Sequence, residues 1–277
     1  MDTKVSLTAD TLRAAVNDYR HRKGISQATL AKNIGINGAT LSNIEHNWES
    51  VSEEMRLRVW NYVRPTGWQP VNTTNFRTVF AVCEEARAKG RMLGIIGSTG
   101  YGKTTALRAF EQDNKQVYYL TCQKSMRAKQ FFQKMLQTMG VYATGNIYEL
   151  IERIAAELNS QRRPLLLIDE AGKLTPMLIQ YLHDLRNLTE GHAGLVLAGV
   201  EYFKTNLEKA MLRQKEGMPE FFDRIAAWEF LATPTTAEKR NVCHANGLTD
   251  SEAVKQVCKA SNYRALTNSI VNELTSL

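Results

Sequence analysis

Residues Gly97-Ser98-Thr99-Gly100-Tyr101-Gly102-Lys103-Thr104 satisfy the pattern G-x-x-x-x-G-K-[ST], and their surroundings constrain the fold more than any other stretch of the chain. Before them, Met92-Leu93-Gly94-Ile95-Ile96 is an apolar run of strand length; after them, Thr105 to Phe110 favours helix. Strand, glycine-rich loop and helix in that order make one βα unit of a parallel sheet. In such a unit the loop curls so that successive N–H groups and the helix N-terminus converge on phosphates. Lys103 is then expected at the β- and γ-phosphates and Thr104 at a magnesium ion. Residues Gly97 to Thr105 would line the nucleotide. The pattern predicts binding of a nucleoside triphosphate with Mg2+.

A second half-site lies downstream. Pro164-Leu165-Leu166-Leu167-Ile168-Asp169-Glu170 is a continuous apolar run closed by two carboxylates, as expected of a central parallel strand buried on both faces. At the C-terminal end of such a strand, Asp169 would sit beside the phosphate loop and coordinate magnesium through water. Glu170 would polarise an attacking water, which points to hydrolysis rather than binding alone.

The rest of the chain is read around these two strands. Phe76 to Lys89 has helical periodicity, and Gln116 to Thr121 reads as a strand. Helices are expected from Ala128 to Met139, Ile147 to Asn159 and Pro176 to Leu188. Gly194 to Gly199 and Ala227 to Leu231 complete five strands. Helices alternating with apolar strands define an α/β class with a doubly wound, five-stranded parallel sheet. From Pro234 onward the chain reads as a short helical lid. The segment Arg64-Pro65-Thr66-Gly67-Trp68-Gln69-Pro70 breaks the pattern with two prolines and a glycine. The expected organisation is therefore a small all-α domain over 1–64, a linker over 65–75, the nucleotide-binding core over 76–233 and the lid over 234–277.

Composition narrows the partners. The 277 residues contain no stretch of membrane-spanning length and no apolar leader, so a cytoplasmic protein is expected. Cys83, Cys122, Cys243 and Cys258 are scattered without metal-ligand spacing and read as reduced thiols. A net charge of +7 favours a polyanionic partner.

In the N-terminal region Leu12, Val16 and Tyr19 follow helical spacing up to Gly24. Ser26 caps a second helix, and Asn37 caps a third that turns Leu41 and Ile44 inward. Through Gln27, Leu30-Ala31, Gly35-Ile36, Leu41-Ser42 and Ile44-Glu45, residues 8–63 resemble the helix-turn-helix of Cro- and phage-repressor-like domains. The resemblance implies that Gly38, Ala39, Ser42 and Asn43 face bases while Gln27 touches a phosphate. Only Asn43 among them is a good base reader, so weak sequence preference is expected. A bundle kept for protein contacts is the alternative for this region.

Over the larger region, the phosphate loop, the acidic strand, Phe221-Phe222-Asp223-Arg224 and Asn262-Tyr263-Arg264-Ala265-Leu266 occur in the order of an AAA+ ATPase. The resemblance implies that Arg224 is an arginine finger reaching a neighbouring subunit's γ-phosphate. It also implies that Arg264 is the sensor-2 arginine of the subunit's own site. Asp169-Glu170-Ala171, Leu182-His183-Asp184-Leu185-Arg186 and Gly194 to Gly199 are further similar to transposition ATPases of the phage Mu B type, with insertion-sequence and Tn7-type helper ATPases as relatives. One departure is that the strand ending Ala198-Gly199 lacks the polar sensor-1 residue usual in AAA+ proteins.

Such a protein would assemble with ATP as a homo-oligomeric ring or helical filament on duplex DNA. It would deliver that DNA to a transposase. A helicase loader or protein remodeller, and an ATP-switched repressor-like regulator, are the alternatives. The principal DNA contact is expected after the second strand. From Lys115 to Lys134 the chain carries Lys115, Lys124, Arg127, Lys129 and Lys134 and no acid. Of these, Lys124, Arg127 and Lys129 fall at a helix N-terminus suited to phosphate.

Overall fold

The computed structural model describes residues 8–63 and 70–275. Of the expected linker over 65–75, residues 65–69 lie outside the described residues, as do both chain ends, and its last two, Thr74 and Asn75, already belong to a helix. The chain divides into two compact units. One is Asn72–Pro234 with Asn262–Arg264; the other holds the described residues up to Val71 with Thr235–Ser261 and the chain from Ala265 onward.

In the second of these units, four helices come first: α1 (Ala9–Lys23), α2 (Gln27–Ile34), α3 (Gly38–His46) and α4 (Glu53–Val63). Ser26 Oγ accepts from the Thr29 N–H, and Asn37 Oδ1 accepts from the Ala39 N–H, so each cap satisfies an amide that the helix itself cannot. Leu12, Val16, Leu30, Leu41, Ile44, Val59 and Val63 form the buried core between the helices. The last of these helices, α4, begins after Ser52, whose Oγ accepts from the Met55 N–H, with Glu53 and Glu54 in its first turn.

The larger unit is a three-layer α/β/α sandwich. Its elements are α5 (Thr74–Lys89), β1 (Met92–Ile96), α6 (Lys103–Asp113), β2 (Val117–Thr121), α7 (Ala128–Thr138), α8 (Ile147–Asn159), β3 (Leu165–Asp169), α9 (Pro176–Thr189), β4 (Gly194–Gly199), α10 (Glu201–Leu212), α11 (Met218–Asp223) and β5 (Ile225–Phe230). The five strands are parallel in the order β2-β3-β4-β1-β5. Because side chains alternate along a strand, Leu165 and Leu167 of β3 face α5 and α6, while Leu166 and Ile168 face the α7 to α11 layer. The same alternation turns Tyr119 and Val117 of β2 toward α6. It also puts Asp169 on that face, two residues beyond Leu167.

Strand β5 starts two residues earlier than its sequence suggests. Ile225 pairs with Met92 ahead of a bulge, while Leu231, expected inside the strand, leaves it yet stays buried. Gly94 explains how this edge strand is held. A Cβ on Gly94 would lie 2.2 Å from Trp228 Cε3, so the indole of β5 lies where a side chain of β1 would be. Gly94→Ala should therefore overpack the sheet and cost about 1–3 kcal/mol. Urea unfolding would show this as a lowered midpoint, and an unchanged midpoint would mean the indole relocates freely.

Three helices follow Pro234: α12 (Thr236–Ala245), α13 (Ser251–Val257) and α14 (Tyr263–Thr275). Thr235 and Glu238 form a reciprocal cap on α12, and Asp250 caps α13. Among the described residues no helix is long and apolar enough to cross a membrane. All four cysteines are buried free thiols.

Candidate active site

Parallel strands all end on one edge of the sheet, and the phosphate loop leaves β1 there. Gly100 and Gly102 have φ of +82° and +89°, a left-handed backbone that side chains disfavour, and these two residues give the loop its curl. The loop is fastened on two sides. Asn75, at the start of α5, donates to the carbonyls of Tyr101 and Ala232 and accepts from the Ala232 N–H. The Tyr263 N–H donates to Gly100 O at 2.9 Å. A Cβ on Gly100 would come within 2.6 Å of Asn262 Oδ1, so the loop and the start of α14 are in close contact. Asn75 carries no motif that marks it, whereas Asn262 opens the Asn262-Tyr263-Arg264 motif.

Lys103 opens α6, is 8% exposed and points its ammonium into the loop, donating to Gly97 O and, at 3.2 Å, to Ser98 O. Desolvation lowers its pKa, opposed by the carboxylates of Asp169 and Glu170 and reinforced by the nearby Arg264. Thr104 and Thr105, next in the same turn, are exposed, as are Ser98 and Thr99. Thr104 Oγ1 donates to Asp169 Oδ2 at 2.6 Å. Asp169 is 1% exposed and tied on both oxygens: Oδ1 accepts from the Glu170 N–H at 2.8 Å, and Oδ2 accepts from the Tyr119 hydroxyl at 2.8 Å. A hydroxyl and a carboxylate side by side are hard oxygen donors, the chemistry a magnesium ion accompanying a nucleotide requires.

Glu170 departs from the expected strand. Its φ of 57° and ψ of 37° place it in the left-handed region, so it turns out of the strand instead of extending it. Such a conformation costs a non-glycine residue about 1–2 kcal/mol. It leaves the side chain about half exposed, with Lys173 Nζ 3.3 Å away. The structure thus gathers Lys103, Thr104, Asp169, Glu170 and Arg264 at one place.

Arg224 is not among them. It precedes Ile225, which pairs with the first residue of β1, so it lies at the opposite edge of the sheet from the loop. There its guanidinium pairs with Glu190. Nearby, Arg186 is buried and donates to the carbonyls of Gly90 and Ala193. Burial lowers its pKa, and its part is to bind α9 to the strand starts. At the sensor-1 position, the Gly199 carbonyl accepts from the Gly97 N–H.

These features, a phosphate loop on the strand-end edge of a parallel sheet with an acidic strand beside it, agree with what known proteins show. A family model described as AAA domain matches residues 74–207. The chain is an ATP hydrolase. The Mu-like prophage FluMu DNA transposition protein B of Haemophilus influenzae is 25% identical over 250 residues, covering 83% of this chain and 84% of that one. In fold the ATPase is similar to the Aeropyrum pernix ORC2 protein, solved in ADPNP and ADP complexes. The TM-score is 0.56 at 12% identity, over 73% of this chain and 61% of that one.

The remaining expected residues lie elsewhere. The Cys122 N–H donates to Asp169 O at 2.9 Å, so the segment after β2 leaves the sheet beside the acidic strand. Lys124, Arg127, Lys129 and Lys134 are exposed along this segment and α7, whereas Lys115 precedes β2 at the other end of the strand. A recess of about 530 Å³ opens beside them, walled by Gln123, Ser125, Gln130, Gln133, Lys134 and Gln137. In the N-terminal helices Gly38 and Ala39 are exposed at the start of α3, while Gln27, Ser42 and Asn43 are half-buried.

Proposed function

We propose that this ATPase assembles on duplex DNA in its ATP-bound form, with little sequence preference, and presents that DNA to a transposase. The observation that carries the DNA part is the acid-free segment after β2. Its exposed cations and amide-lined recess emerge on the same sheet edge as the phosphate loop, next to Asp169. Lysine, arginine and glutamine groups suit phosphate and sugar contacts, which hold DNA without reading it. The transposase part is supported by the similarity to a prophage transposition protein B. The capped helices α2 and α3 support a helix-turn-helix reading in which Gly38, Ala39, Ser42 and Asn43 approach bases and Gln27 a phosphate.

At the nucleotide, Lys103 would neutralise the β- and γ-phosphates. Thr104 and, through water, Asp169 would hold magnesium, which would supply charge neutralisation of the phosphates. Glu170, turned out of its strand, would orient the attacking water, and Arg264 would close on the subunit's own nucleotide. Arg224, far from its own loop, would serve a neighbour, so that ATP stabilises the oligomer by linkage.

The test is DNA binding with a slowly hydrolysed ATP analogue at several salt concentrations. Replacing Lys124, Arg127 and Lys129 together by alanine should weaken binding alike for all sequences and flatten the salt slope by about two to three units. ATP affinity should barely change. An unaltered slope would move the DNA site to the N-terminal helices. A single tight operator would favour a repressor-like regulator instead.

A further inference from the structure

We infer that Tyr119 is a positioning residue for the magnesium half of the site, acting through Asp169; the inference rests on the nucleotide reading given above. Tyr119 lies on β2, a strand that carries none of the phosphate-loop or acidic-strand residues, and is 7% exposed. Its hydroxyl is 2.8 Å from Asp169 Oδ2 and 2.9 Å from Thr121 Oγ1. The proton directions follow from the donor inventory. An ionised carboxylate can only accept, so Tyr119 donates its single proton to Asp169 and must itself accept from Thr121.

Asp169 Oδ2 therefore has two donors, Thr104 from α6 and Tyr119 from β2, on the face where side chains of both elements meet. With Oδ1 held by the Glu170 N–H, the carboxylate is restrained on both oxygens. The phenol ring is fixed in turn by the Arg108 guanidinium, 4.7 Å from its centroid, and by packing in the core beneath α6. When Thr104 turns its oxygen lone pair toward a metal ion, its proton can stay on Oδ2 only if the carboxylate does not swing. Tyr119 supplies that restraint from β2, a strand separate from the loop. Geometry of this kind acts on metal affinity and leaves the phosphate contacts of Lys103 and the loop amides untouched.

The prediction separates the two. Binding of a fluorescent ATP analogue is titrated with and without Mg2+ for wild type, Tyr119→Phe and Thr121→Val, with thermal unfolding as a fold check. Tyr119→Phe keeps the ring and its packing and removes only the hydroxyl. Metal-free affinity should stay within about twofold, affinity with Mg2+ should fall about tenfold, and half-saturating Mg2+ should rise accordingly. Thr121→Val should shift the same quantities in the same direction by less, and it carries the test if Tyr119→Phe does not fold. Equal weakening with and without Mg2+ would make Tyr119 merely structural, and no change in either would remove it from the site. If wild type binds no nucleotide at all, the site reading itself fails. If wild type binds normally and Tyr119→Phe does too, only this inference fails.

Discussion

Lys103→Ala should abolish measurable ATP binding, whereas Glu170→Gln should bind ATP normally and stay locked in the assembled, DNA-bound form. The contrast follows from where each group acts. The Lys103 ammonium points into the loop, where ground-state phosphates would lie, and its loss should also cost hydrolysis about 10²–10³-fold. Glu170 leaves its strand with a half-exposed carboxylate, and as the base acting on water it should be worth about 10²–10⁴-fold in turnover with little effect on binding. Equilibrium binding of labelled ATP together with steady-state phosphate release measures both. A Glu170→Gln protein that turns over at the parental rate would show that the water is positioned by some other group.

Arg224→Ala should lose about 10³–10⁵-fold in ATPase activity, and mixing it with Lys103→Ala should restore part of that loss. Each variant then lacks one half of a composite site, and a mixed interface can still join two intact halves. The guanidinium is paired with Glu190 in its own chain, with both side chains partly solvated. Releasing it toward a neighbour therefore costs about 0–1 kcal/mol, small beside the expected gain in the transition state. Full activity of Arg224→Ala alone would remove the finger. Absence of rescue at every mixing ratio, with both variants still forming oligomers, would place Arg224's action within one subunit.

The parts of this architecture most legible in the sequence are those where local pattern and tertiary demand coincide. β3 and β4 are apolar because both faces are covered, and the loop's glycines are required by its left-handed turns. Ser26 and Asn37 satisfy amides that any helix start leaves open. What stayed hidden depends on long-range contact. Tyr119 looks like an ordinary strand aromatic until alternation and the β2–β3 register bring it to Asp169, and Asn75 anchors a loop 26 residues away. The α11 helix gives a weak signal because it is only six residues long, and β5 is misplaced because its first pair, Ile225 with Met92, precedes a bulge that shifts its register. Glu170 reads as the last residue of a strand since nothing in an Asp-Glu pair announces a left-handed backbone.

The two ends of the β1–β5 ladder have a consequence for symmetry. β1 runs from a start paired with Ile225, just past Arg224, to an end that opens into the phosphate loop, five residues or roughly 16 Å further on. Under the proposed finger role, a subunit built this way would have a giving edge and a receiving edge on opposite sides of one sheet. If Arg224 completes a neighbour's site, the contact joins unlike surfaces, head to tail, and a self-complementary two-fold pair does not fulfil it. Repeating one such contact yields either a closed ring, in which every site is complete, or an open helix with an incomplete site at one terminus and an unused arginine at the other. In the open case growth and loss must differ at the two ends, so a filament of this ATPase would be polar, and the strand direction inside each subunit would set the direction of the whole.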